Sequence, residues 1–196
     1  MDLIIASNNK DKIKELKDIL SKYFSNIYSL ADKNITIEIE ETGNTFEENA
    51  LIKARRIHNI TGCASLGDDS GLVVDSLNGA PGIYSARYAG EDCDYKKNQD
   101  LILKNLNGIK DRNAHFETCI ALVLPDGKEF TATGRTDGYI LEKPIGTNGF
   151  GYDPVFFSNV LQKSFAQATM AEKNKVSHRT NAILALLPIL KNSLKD

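Results

Sequence analysis

Hydrophobic residues along the chain fall into short blocks whose spacing switches between the two-residue period of strands and the 3.6-residue period of helices. Leu3-Ile4-Ile5-Ala6 is an unbroken apolar run of buried-strand length, and Ser7-Asn8-Asn9-Lys10 follows it as a loop. Ile13, Leu16, Ile19 and Leu20 then share one stripe, which predicts a helix. Ile35-Thr36-Ile37-Glu38-Ile39-Glu40 alternates strictly and predicts a strand ending in acid. Thr45-x-x-Glu48 has the capping-box pattern, so a second helix is expected from about Phe46 to about His58.

Leu66 to Val74 is expected to hold strand structure around Gly67-Asp68-Asp69-Ser70-Gly71. Residues 79–90 contain Gly, Pro and Tyr without periodicity and read as an ordered surface loop. A helix around Tyr95–Leu106 is stopped by Asn107-Gly108. Two strands, His115–Leu124 and Lys128–Thr133, flank Pro125-Asp126-Gly127, a strong hairpin signal, and Gly138-Tyr139-Ile140 extends the sheet. After a glycine-rich loop at 146–151 and Asp153-Pro154, the chain closes with a helix carrying Ile183, Leu186, Leu187 and Leu190. Its expected N-cap is Ser177, and Pro188 is a candidate kink. Helices and strands intermix, which predicts an α/β fold with a mixed sheet. With neither a linker nor a repeat, residues 1–196 are expected to form a single domain.

The net charge of −2 gives no general drive toward nucleic acid or an anionic membrane, so any phosphate binding must come from a local basic pocket. No apolar run approaches the roughly 20 residues of a membrane helix. Residues 1–6 are too short and too lightly charged for a secretory signal. The three cysteines, Cys63, Cys93 and Cys119, form no CxxC and cannot all pair, which fits a reducing, cytoplasmic location. Three scattered histidines argue against a His-rich metal site.

Asp68 and Asp69 sit between the small, apolar Cys63-Ala64-Ser65-Leu66 and Leu72-Val73-Val74. Carboxylates there are costly to desolvate without a cationic partner, and Mg²⁺ is the simplest one. In an extended segment adjacent side chains point to opposite faces, so only one Asp would enter a site directly. The same five residues equally suit a turn. Glu40 and Glu41 would complete an acidic cluster, although exposed glutamates are usually just solvated charge.

The loop Ser7-Asn8-Asn9-Lys10-Asp11-Lys12 has the logic of a phosphate cradle, a strand leading into a helix N-terminus, without the GxxxxGK[ST] of a Walker loop. Helix capping by Ser7 or Asn9, with Lys10 and Lys12 solvated, is the plainer account. Phe46, Ala50, Lys53 and Ile57 share a stripe that places a lysine among apolar residues, with Asn49 one turn before it. Such a lysine either snorkels or faces a ligand. Phe150-Gly151-Tyr152-Asp153 offers two aromatic faces and an acceptor, suited to a planar base or to core packing. Lys173, His178 and Arg179 bracket the start of the last helix, as ligand contacts or as surface basics.

Together these residues describe a site for a metal triphosphate carrying a planar base. The chain resembles the Ham1-type inosine triphosphate pyrophosphatase family in several stretches. They are residues 7–12, 41–50, Lys53-Ala54-Arg55, residues 68–72, the run Gly79-Ala80-Pro81-Gly82-Ile83-Tyr84-Ser85-Ala86-Arg87-Tyr88, residues 149–154 and Ser177-His178-Arg179. These run in family order through essentially the whole chain.

The resemblance implies an elongated two-lobed fold around a long mixed sheet, usually homodimeric. It implies hydrolysis of ITP, dITP and XTP to the monophosphate and pyrophosphate. Carried over by residue, Asp69 matches the general base, and Glu40 with Asp69 the Mg²⁺ positions, with Asp68 in support. Ser7, Asn8, Asn9, Lys10, Asp11, Lys12, Lys53 and Ser70 match triphosphate-side contacts. Phe150, Gly151, Tyr152, Asp153, Lys173, His178 and Arg179 match nucleotide and base contacts. Asn8 stands where Gly is common and Ser7 where Thr is common; Asn tolerates positive φ better than most residues.

Three other readings compete. A pyrophosphatase of different base preference differs only in substrate. A non-catalytic nucleotide sensor would have no need to keep Asp69, Glu40 and Lys53, and an oligomeric scaffold would need none of the polar convergence.

Overall fold

The computed structural model describes residues 2–193. It is a mixed α/β structure with one seven-stranded sheet, in the order β2-β1-β3-β4-β5-β6-β7. The strands are β1 (Asp2–Ile5), β2 (Asn26–Ser29), β3 (Ala64–Val74), β4 (Asn113–Val123), β5 (Glu129–Ile140), β6 (Phe156–Ser158) and β7 (Lys163–Ser164). The helices are α1 (Lys10–Leu20), α2 (Phe46–Thr61), α3 (Tyr95–Asn105), α4 (Met170–Lys173) and α5 (His178–Ser193). β1 pairs in parallel with β2 and β3, Leu3 standing opposite Ile27 and Ala64. β6 pairs antiparallel with β5 and β7, Phe157 standing opposite Tyr139 and Ser164.

The helices form where capping and apolar stripes coincide. Asn9 caps α1, its Oδ1 accepting from the N–H groups of Asp11 and Lys12. Thr45 caps α2 by accepting from the N–H of Glu48, and Gly62 closes that helix in the left-handed region. The capping box of α2 is only half formed, because Glu48 Oε2 accepts from the N–H of Asn44 and not of Thr45. The Pro125-Asp126-Gly127 turn joins β4 to β5, with Leu124 N–H donating to Lys128 O.

Two expectations need correction. Ile35–Glu40 is not a strand. Its alternation is real, since Ile35, Ile37 and Ile39 pack on the cluster of Ile4, Ala6, Leu30 and Ile57 while Thr36, Glu38 and Glu40 are exposed. The segment lies extended over apolar residues without joining a ladder. The strand role next to β1 belongs to β2, whose four residues carry too little pattern to be read. The acidic run is no turn: β3 passes through it unbroken, buried along almost its whole length. Gly138-Tyr139-Ile140 does extend the sheet, as the end of β5 itself.

The chain divides into two compact units. The first comprises Met1–Asp69, Thr118–Gly134 and Arg179–Asp196. Its core holds Leu3, Ile5, Leu16, Leu66, Ile120, Leu122 and Ile183, with Ala50, Ala54 and Ala121 in a neighbouring cluster. The second comprises Ser70–Glu117 and Arg135–His178, around Leu72, Val74, Ile102, Leu106, Phe116, Phe156 and Phe165.

One glycine in the first unit sets a distance on which the site depends. A Cβ on Gly67 would lie 2.0 Å from the carbonyl oxygen of Ala50 and 3.0 Å from the N of Ala54. Only hydrogen there lets α2 lie this close to β3. Gly67→Ala is expected to push helix and strand apart, at a cost of about 2–3 kcal/mol as for other overpacked cores. Thermal unfolding checks this, with a fall in Tm of roughly 5–10 °C expected for a chain of this size.

Candidate active site

β3 delivers two adjacent carboxylates into the protein interior, and the pleat sends them to different partners. Asp69 points the same way as Gly67, toward α2. Asn49 Nδ2 donates to its Oδ2 at 3.1 Å, and Lys53 Nζ lies 3.3 Å from its Oδ1. Lys53 also donates to Glu41 Oε1 at 3.0 Å. The apolar stripe of α2 does carry its lysine inward: Lys53 is 6% exposed, so it does not snorkel. Asn49, one turn earlier, serves the same carboxylate.

Asp68 points the other way, toward α1 and α5. Lys12 Nζ lies 3.0 Å from Oδ2 and Arg179 Nε 3.3 Å from Oδ1, while Thr118 Oγ1 donates to Oδ1 at 2.7 Å. Thr118 Oγ1 is also 2.9 Å from the carbonyl oxygen of Asp69. Arg179 Nη1 pairs with the buried Glu15 Oε2 at 2.6 Å.

These surroundings separate the two acids electrostatically. Burial alone would raise the pKa of Asp68, but Lys12, Arg179 and Lys53, with the Thr118 hydrogen bond, hold it far below the usual carboxylate range. Burial raises that of Asp69, and although Lys53 and Lys12 oppose this, the nearby Glu41 adds to it and the net direction is upward. Lys53 is shared between Asp69 and Glu41, with Asp68 near, so its ammonium is held charged against the cost of its burial.

In the second unit Asp153 is the hub. Its Oδ2 accepts from the N–H of Phe150 at 3.0 Å and from Lys173 Nζ at 2.6 Å. Gly149 makes that turn possible, since its φ is +73° and a Cβ would fall 2.0 Å from Asp153 Oδ2. Lys173 Nζ lies 4.8 Å from the centre of the Phe150 ring and 5.4 Å from that of Phe165. The His178 ring stacks on Phe116 with centres 4.9 Å apart and planes at 15°. Phe150 is half-buried and the Lys173–Asp153 pair fully buried.

The expected residues therefore fall into groups. Lys12, Lys53, Asp68 and Asp69 come together in the first unit, as do Phe150, Asp153 and Lys173 in the second. Ser7 and Asn9 act locally, Ser7 Oγ accepting from the N–H of Asn9 and Asn9 capping α1. Asn8 Nδ2 donates to Ile37 O at 3.1 Å, tying the loop to the extended segment that leads to Glu41. Lys10 and Asp11 are exposed, and Ser70 is half-buried.

Three expected roles shift. Tyr152 offers no stacking face: it is a core residue whose hydroxyl donates to Ser85 O at 2.9 Å. Arg179 is engaged with Glu15 and Asp68 and not held out toward a base. Glu40, Asp68 and Asp69 do not form a common ligand set. Among the described residues no three His, Cys, Asp or Glu side chains are grouped to hold a metal ion, and Glu40 is exposed.

The structure also adds residues. Glu41, next to Glu40, is the one that reaches Lys53. Glu15 carried a signal, a carboxylate beside Leu16 and Ile19 on the buried face of α1. Gln99 Nε2 donates to Gly151 O at 2.6 Å. Thr118 and Gln99 had none, as polar residues in ordinary elements.

The donors present suit a hard cation. Asp69 and Glu41 are oxygen donors already sharing one ammonium, and Mg²⁺ commonly takes one or two protein carboxylates, filling its other positions with water and substrate phosphate.

A model of the Ham1 family matches residues 3–189. The chain belongs to the Ham1 family. It is 48% identical over 198 residues to the dITP/XTP pyrophosphatase of Thermoanaerobacter pseudethanolicus, covering all of both chains. It is 44% identical over 191 residues to that of Bacillus subtilis, covering 96% of each. Among solved structures, the Ham1 protein of Staphylococcus aureus superposes with a TM-score of 0.86 at 39% identity, covering 98% of this chain and all of that one. A nucleoside-triphosphatase, dITP/XTP pyrophosphatase, from Mycobacterium abscessus superposes at 0.75 with 45% identity, covering 97% and 100%. No helix among the described residues of this Ham1 chain is long and apolar enough to cross a membrane.

The depressed pKa of Asp68 has a consequence for stability. An acid ionised more easily folded than unfolded stabilises the fold fully above its ordinary pKa, 3.8, and loses that contribution as pH falls below it. Asp68→Asn leaves Lys12 and Arg179 without their shared anion, a loss of about 3–5 kcal/mol for a broken buried pair. Urea unfolding should show this gap between parent and variant at pH 7 and a narrower gap at pH 3.

Proposed function

We propose that this Ham1 protein hydrolyses deaminated purine nucleoside triphosphates, ITP, dITP and XTP, to the monophosphate and pyrophosphate. The observation that carries the reading is the first-unit cluster, in which a buried carboxylate of raised pKa sits beside a lysine and a second carboxylate. The names of the relatives supply the substrate class.

In this mechanism Asp69 orients a water molecule through its carboxylate and takes its proton as the water attacks phosphorus. Its raised pKa suits it to this, because a base with a pKa nearer neutrality accepts a proton more readily. Lys53 keeps its charge and so partly offsets the two carboxylates, Asp69 and Glu41, before substrate arrives, then meets phosphate oxygen as a point charge. Lys12, at the first turn of α1, adds a second cation on the side of Asp68. Asp69 and Glu41 would hold Mg²⁺, which when bound supplies charge neutralisation and polarisation of the phosphoryl group. Asn8 holds the segment leading to Glu41 in place through Ile37.

Base recognition falls to the second unit. Phe150 offers an aromatic face, and Lys173 and His178 supply donors suited to a 6-oxo group, where adenine would present an amino donor instead. A cytoplasmic homodimer belongs to the same reading and rests on the family resemblance.

The test is a Mg²⁺-dependent panel of ITP, XTP, GTP, ATP and dTTP with pyrophosphate and orthophosphate measured separately. ITP and XTP should lead, with pyrophosphate as the first product; orthophosphate as the direct product, or dTTP outrunning ITP, overturns the reading. Asp69→Asn should lower kcat by roughly 10²–10⁴-fold, as for loss of a general base. For the parent, kcat/KM should fall as pH drops and the Asp69 carboxylate takes up a proton. A variant with near-normal turnover would remove Asp69 as the base.

A further inference from the structure

Tyr95 is the first residue of α3, directly after the cap Asp94, whose Oδ1 accepts from the N–H groups of Lys96 and Lys97. Its ring centre lies 6.1 Å from that of Phe150, with the planes at 41°. This is within the range of attractive aromatic pairs, yet too inclined for one ring to cover the other. One helical turn on, and therefore on the same side of α3, Gln99 Nε2 binds Gly151 O. Two successive turns of α3 thus meet the Gly149–Asp153 loop, one through an aromatic ring and one through a hydrogen bond. Asn98 braces the same turn of helix from another side, donating to Ala86 O at 2.8 Å and accepting from Ala89 N–H at 2.7 Å.

Core packing does not account for Tyr95. The buried cluster of the second unit takes α3 through Ile102 and Leu106, while Tyr95 remains 36% exposed. Phe150, its ring partner, is itself half-buried and has the Lys173 ammonium 4.8 Å from its ring centre. Two inclined, partly exposed rings next to a buried cation make an aromatic corner. A flat heterocycle laid on one ring would meet the other inclined by the same 41°, a tilted aromatic contact.

We infer that Tyr95 is a base-binding residue of this chain, forming with Phe150 a two-walled aromatic seat for the purine ring; this rests on the nucleotide reading above. The seat acts on the heterocycle and not on the phosphates, so its loss should separate the two parts of the ligand. The contact with Phe150 is made by the ring, which phenylalanine keeps.

The experiment measures the affinity of inosine monophosphate, the inhibition constant of inorganic tripolyphosphate and the steady-state kinetics of ITP. It compares the parent with Tyr95→Ala, Tyr95→Leu and Tyr95→Phe. The expected result for the alanine and leucine variants is a roughly tenfold weaker inosine monophosphate affinity and a similar rise in KM for ITP, within the range for losing one base-stacking ring. The loss should fall on KM more than on kcat, tripolyphosphate inhibition should be retained, and Tyr95→Phe should restore base affinity. The leucine variant keeps apolar bulk at the helix start, so a folding defect confined to alanine leaves the test intact. Unchanged inosine monophosphate affinity in the leucine variant overturns the inference, as does an equal weakening of tripolyphosphate, which would mark Tyr95 as merely structural. A parent protein that neither binds inosine monophosphate nor turns over ITP instead overturns the nucleotide reading itself.

Discussion

The first unit is organised by the need to bury two neighbouring carboxylates on a central strand. Each ionised side chain costs several kcal/mol to remove from water unless it is paired and hydrogen-bonded. The pleat of β3 makes a common solution impossible, because Asp68 and Asp69 emerge on opposite faces. Cations therefore arrive from different directions. Lys12 and Arg179, from the helices α1 and α5, meet Asp68, and Lys53 from α2 meets Asp69. Glu15 then follows Arg179 inward. The named carboxylates, Glu15, Glu41, Asp68 and Asp69, outnumber the named cations Lys12, Lys53 and Arg179 by one, leaving the cluster receptive to further positive charge. Gly67 matters for the same reason: without its close contact to Ala50, the lysine of α2 would stand off from its acid.

How the two aspartates are satisfied decides what each can do. Asp68 has two cations, Lys12 and Arg179, and the Thr118 hydroxyl, so protonating it at working pH would weaken all three contacts, and it stays a fixed charge. Asp69 is paired with Lys53, which it shares with Glu41, and Lys12 adds a weaker attraction. A half-compensated carboxylate in a dry place is one whose proton affinity is raised, which a general base requires and a structural anion does not. The proposed assignment of chemistry to Asp69 and support to Asp68 thus rests on how fully each charge is compensated and not on position in the motif.

Much of this was legible in the sequence because the signals were local. Lys53 and Asn49 were visible as polar residues on an otherwise apolar helical stripe, and the opposite facing of Asp68 and Asp69 follows from strand geometry alone. Thr45 and the Pro125-Asp126-Gly127 turn each announce a boundary through backbone chemistry. What stayed hidden depends on contacts distant in sequence. The alternation of Ile35–Glu40 is a true record of which side chains face inward, but no pattern of side chains reports whether a neighbouring strand supplies hydrogen bonds. β2, β6 and β7 are too short to carry a period. Thr118 looks like any strand threonine until β4 brings it to Asp68, and nothing in Phe150-Gly151-Tyr152-Asp153 shows that Tyr152 turns into the core to meet Ser85 while Phe150 turns out.

The proposed mechanism limits where specificity can come from. Charge on a triphosphate is the same for every nucleotide, so in that mechanism Lys12, Lys53, Asp69 and Glu41 would contribute affinity and rate without discrimination. Binding that is equal for competing substrates selects neither. On the proposed reading, discrimination falls to Phe150, Lys173, Asp153 and His178. A single mispaired buried polar group is worth about 1–3 kcal/mol, or roughly five- to 150-fold. Donors facing the 6-position can thus set deaminated purines apart from adenine by that factor. Guanine carries the same 6-oxo group, so this contact is neutral toward it, and its rejection has to act on the 2-amino group, through bulk or through an unmatched donor. Stacking on aromatic rings is tolerant of base identity and adds affinity to all purines alike. A strong aromatic seat therefore raises the demand on the polar contacts: the tighter the ring is held, the more of the selectivity the 2- and 6-positions must carry.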